Sequence, residues 1–305
     1  MQKYHIPVFL NEALHYLNIK PDGQYIDCTL GEGGHSYEIY KKLTNGKLLS
    51  IDQDSSALAF VKEYYKEVFV EGASSEKAKP EWILYNSNFA KLDQACKANQ
   101  LNPDGILMDL GLSSRQLEQY RGFSYREQEA PLDMRMDESL TVKAQDLLKV
   151  LTEGELTMLF QKYGEERFAR QIAKQIKASR YEITTVGELN QLILRAVPAA
   201  LRQNEKNPSK RVFQALRIAV NDELNSLKTA ISKALTLLNP QGRLVIITFH
   251  SLEDSIVKDA FAQAESTGGF KVLTEKPIMP SEEELKQNSR AHSAKLRAIE
   301  HPANL

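Results

Sequence analysis

The sequence predicts an α/β protein: a doubly wound parallel sheet interrupted by an inserted all-helical domain. Three observations carry that reading. In the first half, short apolar runs alternate with amphipathic stretches, the pattern of strands joined by helical crossovers. From about Ser113 to about Lys210 the alternation stops and helical periodicity takes over. A strongly apolar run then returns at Arg243 to Phe249.

Gln24 to Thr29 reads as a short buried strand. His35 to Leu43 reads as a helix stopped by Asn45-Gly46. Lys47 to Ile51 is a second strand, followed by a helix that Asp54 or Ser55 can cap, with Leu58, Val61 and Tyr65 on one face. Trp82 to Tyr85 is a third strand. Ile106 to Leu110 is a fourth, after the Pro103-Asp104-Gly105 turn. Helical signals follow at Val142 to Val150, Glu153 to Tyr163, Glu165 to Ala178 and Val186 to Val197. A long helix is expected from Arg211 to Leu238, ended by Asn239-Pro240-Gln241-Gly242 before the fifth strand. Glu71 to Pro80 reads as an exposed loop. The expected division is 1–112 with 211–305 for the sheet domain, and 113–210 for the insert. The insert leaves the carboxyl end of the fourth strand, where ligands of open α/β sheets bind. A substrate-binding lid is the reading favoured there; a structural buttress is the alternative.

A chain of 305 residues exceeds what one ordinary core holds, which also favours two domains. The formal net charge of -1 excludes a global basic field, so a nucleic-acid partner has to be held by local patches. Two cysteines, Cys28 and Cys96, make neither a disulfide framework nor a cysteine-based zinc site, and they fit a reducing compartment. Met1 to Leu17 mixes His5, Asn11, Glu12 and His15 among its apolar residues and lacks the signal-peptide pattern. No run approaches a membrane span. A cytoplasmic protein without a membrane partner is expected.

The first strand ends in Asp27-Cys28-Thr29-Leu30-Gly31-Glu32-Gly33-Gly34-His35, and the second in Ile51-Asp52. Glycines let a ligand approach the backbone, and an acidic residue at the second strand end can accept both hydroxyls of a ribose. That pair suits nicotinamide dinucleotides and S-adenosylmethionine alike. Ser36 stands where the dinucleotide fingerprint has its third glycine or alanine, which leans against a dinucleotide. Phe89, after the third strand, is placed to pack on an adenine, with ordinary core packing as the alternative. Asp109 ends the fourth strand. An aspartate there is costly without a partner and is therefore a ligand or catalytic candidate; capping or loop bracing is its other role.

Longer motifs are more specific. Asp27 to Ser36 (DCTLGEGGHS), Asp104 to Leu117 (DGILMDLGLSSRQL), Arg121 to Asp137 (RGFSYREQEAPLDMRMD), Tyr163 to Ala169 (YGEERFA), Arg211 to Leu224 (RVFQALRIAVNDEL) and Gly242 to Lys258 (GRLVIITFHSLEDSIVK) resemble, in register, the bacterial MraW (RsmH) family of 16S rRNA cytosine-N4 methyltransferases. The tail from Pro280 to Glu300 resembles the family's closing segment, so the likeness spans nearly the whole chain. It implies a Rossmann-like S-adenosylmethionine-dependent methyltransferase with an inserted helical substrate domain. It places cofactor contacts on Gly33, Gly34, His35, Asp52, Phe89, Asp109 and Gln116. The implied substrate is cytidine 1402 of 16S rRNA, at the decoding site. Two departures stand out: Ala130 where the family commonly has glycine, and Asn288 to Arg297 where it commonly reads NPRSRSAKLR.

The cytosine amino group is a weak nucleophile and the sulfonium methyl a strong electrophile. Catalysis then rests on in-line placement and a proton acceptor. Asp109 is the first candidate acceptor, although Leu110-Gly111-Leu112 replaces the Pro-Pro-aromatic run of many amino methyltransferases. His250, after the fifth strand, is the second; a structural hydrogen bond in its turn is the alternative. The reaction needs no metal, and the histidines show no ligand spacing. For RNA, Arg167, Arg170, Lys174 and Lys177 fall near one helix face, extendable by Arg180, Lys206, Lys210 and Arg211. A solvated face is the ordinary meaning of such a stripe. Arg121, Arg126 and Arg135 interleave with Phe123 and Tyr125, which suits a splayed base; anchoring through Asp133 and Asp137 is the alternative. The expected partner is 16S rRNA within the assembled small subunit, and a homodimer is left open. A nicotinamide-dependent oxidoreductase and a non-catalytic ribosome-assembly factor are the rival readings.

Overall fold

Apolar side chains occupy both faces of the central strands, and this dictates the architecture. The computed structural model describes residues 7–69, 79–202 and 207–303. Its strands are β1 (Gln24–Asp27), β2 (Lys47–Asp52), β3 (Glu81–Asn86), β4 (Gly105–Asp109), β5 (Arg243–Thr248), β6 (Lys271–Val272) and β7 (Lys295–Glu300). They form one sheet in the order β3-β2-β1-β4-β5-β7-β6. The first five are parallel, and β7 is antiparallel to both β5 and β6. Ile26, Leu49, Ile106, Met108, Leu244 and Ile246 pack on one side with Leu92, Leu227, Ile231, Val257 and Phe261. Tyr25, Leu48, Leu107, Val245 and Ile247 pack on the other with Ala13, Leu17, Ile39 and Val61. Successive residues thus serve opposite cores. That is why these strands read as continuous apolar runs rather than alternating ones.

β6 and β7 lie outside the five strands read from the sequence. β7 carries Lys295, Arg297 and Glu300, which hide its strand character. In the fold these charges are paired: Arg297 Nε donates to Asp254 Oδ1 at 2.6 Å, Lys295 Nζ to Asp254 Oδ2 at 2.8 Å, and Arg243 Nε to Glu300 Oε2 at 2.7 Å. Burial alone would raise the Asp254 carboxyl, but the hydrogen bonds and charges of Arg297 and Lys295 hold it below its ordinary value.

The described chain divides into two compact units, Met1–Leu112 with Leu224–Leu305, and Ser113–Glu223. The second unit therefore runs past the expected end at residue 210. The cause is the helix Pro208–Asn221, whose buried face of Val212, Phe213, Ala215 and Leu216 packs on the second unit's own helices. The expected single helix from Arg211 to Leu238 is two, Pro208–Asn221 and Glu223–Leu237. Asp222 between them is left-handed, with φ 48°. Likewise Glu165 to Ala178 is not one helix. Glu153–Gly164 ends on left-handed Glu165, and Ala169–Lys177 begins afresh.

The second unit is all-helical apart from a long loop before Ala144–Val150. Thr152 with Glu155 and Thr185 with Glu188 form capping boxes that start Glu153–Gly164 and Val186–Ala196. Asn221 pins the long loop, donating to the Met134 carbonyl at 2.8 Å and accepting the Met136 N–H at 2.7 Å.

Candidate functional site

The strand order reverses between β1 and β4, and the carboxyl ends of those strands flank the crevice where open α/β sheets bind ligands. At the end of β1, Asp27 accepts the Thr29 N–H at 3.0 Å and the Ser36 hydroxyl at 2.7 Å. Ser36 Oγ also lies 2.7 Å from Ser50 Oγ, and Trp82 Nε1 donates to Ser50 at 2.8 Å. Each hydroxyl has one proton, and Ser36 gives its own to Asp27. The chain must therefore run from Trp82 to Ser50 to Ser36 to Asp27. Thr29 extends it: its hydroxyl accepts the Asp109 N–H at 2.7 Å, fastening the ends of β1 and β4 together. This relay joins residues too far apart in sequence to be read from the pattern of the chain. The signal for it was Ser50, a polar residue inside an otherwise apolar strand.

Asp52 ends β2, half-buried. Gly31 donates its N–H to Oδ2 and Asp54 its N–H to Oδ1, both at 2.9 Å. A carboxylate has about four acceptor sites, so about two remain open. Burial lifts this carboxyl to about 6; the two backbone hydrogen bonds counter part of the rise, and Asp54 and Asp27 add to it. Gly33 adopts φ +81°, and a β-carbon there would lie 3.0 Å from Tyr65 and Val61, so glycine fits on both counts. Gly34 opens the helix Gly34–Tyr40.

His35 is buried. Its Nε2 lies 3.1 Å from the Val8 carbonyl, which can only accept, so the proton sits on Nε2. Burial lowers its pKa against the pull of Asp27 and the Val8 hydrogen bond. In that neutral ring Nδ1 is a bare acceptor, 3.6 Å from Asp109 Oδ2. The other oxygen of Asp109, Oδ1, is buried and has no hydrogen-bond partner among the described residues. Burial first, then the charges of Asp27 and Glu253, raise this carboxyl well above the ordinary range, with Arg290 opposing. An orphaned buried carboxylate oxygen is expensive, and this one, at the end of β4, makes Asp109 a candidate to meet a ligand.

The remaining candidates divide. Phe89 opens a short 3-10 helix capped by Asn88 and packs, partly buried, against the core. His250 caps the helix Ser251–Ser266: its Nδ1 accepts the Glu253 N–H at 3.4 Å, its Nε2 lies 3.1 Å from Glu253 Oε1, and Glu253 Oε2 accepts the Phe249 N–H at 2.8 Å. The structure thus gives its ring a capping task.

In the second unit, Gln116 is buried and its side-chain oxygen accepts the Ser113 N–H, closing a capping box. Arg135 binds both oxygens of Asp133, at 2.6 and 2.8 Å, and the carbonyls of Glu138 and Leu140. Arg121 donates to the Arg135 and Met136 carbonyls and to Gln119. Both arginines are fasteners of the long loop. Arg126 is exposed over the Tyr125 ring, 5.8 Å from its centroid. Arg167, Arg170 and Lys174 are exposed; Lys177 Nζ caps the helix Ala144–Val150 through the Leu148 and Lys149 carbonyls, both at 3.1 Å. Arg180 and Lys210 are exposed, Arg211 pairs with buried Glu166 at 3.4 Å, and Lys206 lies outside the described residues, as does most of the expected loop from Glu71. No helix among the described residues is long and apolar enough to cross a membrane.

Comparison with known proteins places this arrangement. The profile of the MraW methylase family matches residues 2–302. Ribosomal RNA small subunit methyltransferase H of Clostridium botulinum is 46% identical, over 97% of this chain and 98% of that protein. The Brevibacillus brevis protein of the same name is 44% identical over 97% and 98%, and methyltransferase H 2 of Agathobacter rectalis 43% over 98% and 99%. With end-to-end matches at this level, the chain belongs to the MraW methylase family and is a methyltransferase.

Proposed function

We propose that the protein transfers a methyl group from S-adenosylmethionine to the exocyclic N4 of cytidine 1402 in 16S rRNA, in the cytoplasm, with the assembled small subunit as preferred substrate. The observation that carries the chemistry is Asp109: a half-buried carboxylate at the switch point whose Oδ1 is buried and has no hydrogen-bond partner among the described residues. The residues present fit the donor. Asp52 keeps acceptor sites for a ribose diol, and the Gly31 N–H it accepts ties it to the glycine turn that follows β1. When bound, S-adenosylmethionine supplies an electrophilic methyl on a positively charged sulfur.

N4 forms its new bond to carbon as the sulfur–carbon bond breaks, and one N4 proton leaves. Asp109 Oδ1 is the acceptor proposed for it. Burial makes that carboxylate a stronger base than an exposed aspartate. Thr29 holds the Asp109 backbone, so the acceptor is positioned before substrate arrives. His250 serves this site through the turn it caps.

Membership of a methylase family sets the oxidoreductase and assembly-factor alternatives aside. The sheet agrees: antiparallel β7 beside β5 departs from the dinucleotide order 3-2-1-4-5-6. The test is mass spectrometry of rRNA nucleosides from cells with and without the protein, with purified small subunits and protein-free rRNA as substrates in vitro. Loss of N4-methylated cytidine on deletion, restored by this chain and faster on subunits, is expected. An unchanged nucleoside profile overturns the proposal.

A further inference from the structure

Residues 167 to 181 contain Arg167, Arg170, Lys174, Lys177 and Arg180 and no acidic residue. In the helix Ala169–Lys177, Ala169, Ile172, Ala173 and Ile176 are buried, which puts Arg170 and Lys174 one turn apart on the exposed face. Arg180 is exposed beyond the helix end. The row finishes at Tyr181, whose side chain is 84% exposed.

The Tyr181 backbone is fixed even though its ring is open. Ser179 Oγ donates to the Tyr181 carbonyl at 2.9 Å and accepts its N–H at 3.3 Å. The next residue, Glu182, is paired with Lys149 at 2.9 Å, and Val150 beside Lys149 is 77% exposed. A bare aromatic ring on a pinned backbone, at the end of an acid-free row of cations, is the layout of a base-stacking platform.

We propose that Tyr181 stacks on an unpaired base of single-stranded RNA whose phosphates run along Arg180, Lys174 and Arg170. Charge selects the partner: a cationic row with an open ring matches a polyanion that also presents aromatic faces. The inference rests on the rRNA reading and deepens it by naming a contact for the strand flanking the target.

Fluorescence anisotropy with a labelled, unstructured oligoribonucleotide of roughly 12 nucleotides tests it. Tyr181→Ala should weaken binding about tenfold, while Tyr181→Trp stays near wild type. The Arg170→Ala/Lys174→Ala double variant should flatten the slope of log affinity against log salt by about 1.4. S-adenosylmethionine affinity, measured by calorimetry, should hold in every variant and shows that each is folded. Wild-type affinity in Tyr181→Ala overturns the inference. So does equal binding of a duplex of the same length, or a Tyr181→Ala defect seen only on ribosomal subunits, which would assign the face to a protein. Should wild-type protein bind the oligonucleotide in this way yet leave cytidine N4 unmethylated in subunits, the rRNA function falls while the stacking contact stands.

Discussion

Asp133 and Glu188 of the helical unit are treated in the opposite way from Asp52 and Asp109 at the carboxyl edge of the sheet. The first two are well supplied with donors. Asp133 is held by Arg135 and Lys143, which outweigh burial and lower its pKa; Glu188 accepts from the Thr184 and Thr185 backbones and is lowered too. At the carboxyl edge of the sheet, Asp52 and Asp109 are raised, chiefly by burial, and Asp109 keeps an oxygen with no partner. Asp133 and Glu188 are satisfied within the chain, whereas Asp52 and Asp109 keep acceptor sites to spare, which is what a ligand site would need.

The largest effect should come from breaking the shortfall. Asp109→Asn should lower methylation by about 10²–10⁴-fold while raising stability by about 1 kcal/mol, because a half-buried charge short of donors is gone. The sign with pH follows: a raised folded pKa adds stability at low pH that disappears as pH rises through it. The stability gap between variant and wild type should therefore widen with pH in thermal melts. A variant that is both inactive and destabilised would place Asp109 among the scaffold acids.

Asp52→Ala should weaken S-adenosylmethionine binding by about 30–100-fold, on the order of 2–3 kcal/mol for two lost hydrogen bonds to a charged group. In the wild type, affinity should decline about tenfold per unit below pH about 6, where Asp52 takes up its proton. Calorimetry across that range reads both, and a flat profile would remove Asp52 from the site.

Asp133→Asn tests the other side of the contrast. Losing the two-pronged Arg135 partner should cost about 1–3 kcal/mol near neutral pH, seen in urea unfolding. A lowered folded pKa gives stability that is present above the ordinary 3.8 and is lost in acid, so the deficit should shrink in acid. The smallest effect is expected at His250. Asparagine is also a good cap, so His250→Asn should stay within about 0.5 kcal/mol and keep most activity. A collapse in rate at unchanged stability would return His250 to the chemistry.

Much of this was legible in the chain. β1, β2, β4 and β5 were visible because burial on both faces makes each an apolar run, and partly buried β3, at the sheet edge, because Trp82 to Tyr85 are all apolar or aromatic. The Gly33 turn, Asp52 and Asp109 were visible because they fall at strand ends. What was hidden depends on partners distant in sequence. β7 reads as a charged tail until Asp254 and Arg243 neutralise it. The break after Gly164 has no cap signal. A glutamate, Glu165, rather than a glycine takes the left-handed position there, its N–H turned back to the Phe160 and Gln161 carbonyls. Arg121 and Arg135 looked like nucleic-acid contacts because composition cannot show that backbone carbonyls already occupy their donors.

The interruption of the sheet between β4 and β5 also sets a timetable during synthesis. Translation adds about 5–20 residues per second, so roughly 7–27 s separate the emergence of Asp109 from that of Arg243. Throughout that interval β4 is an unprotected edge, able to pair with a neighbouring nascent chain. All of the helical unit, which ends at Glu223, is made before β5, whereas the sheet unit closes only once β5 and the strands after it have left the exit tunnel.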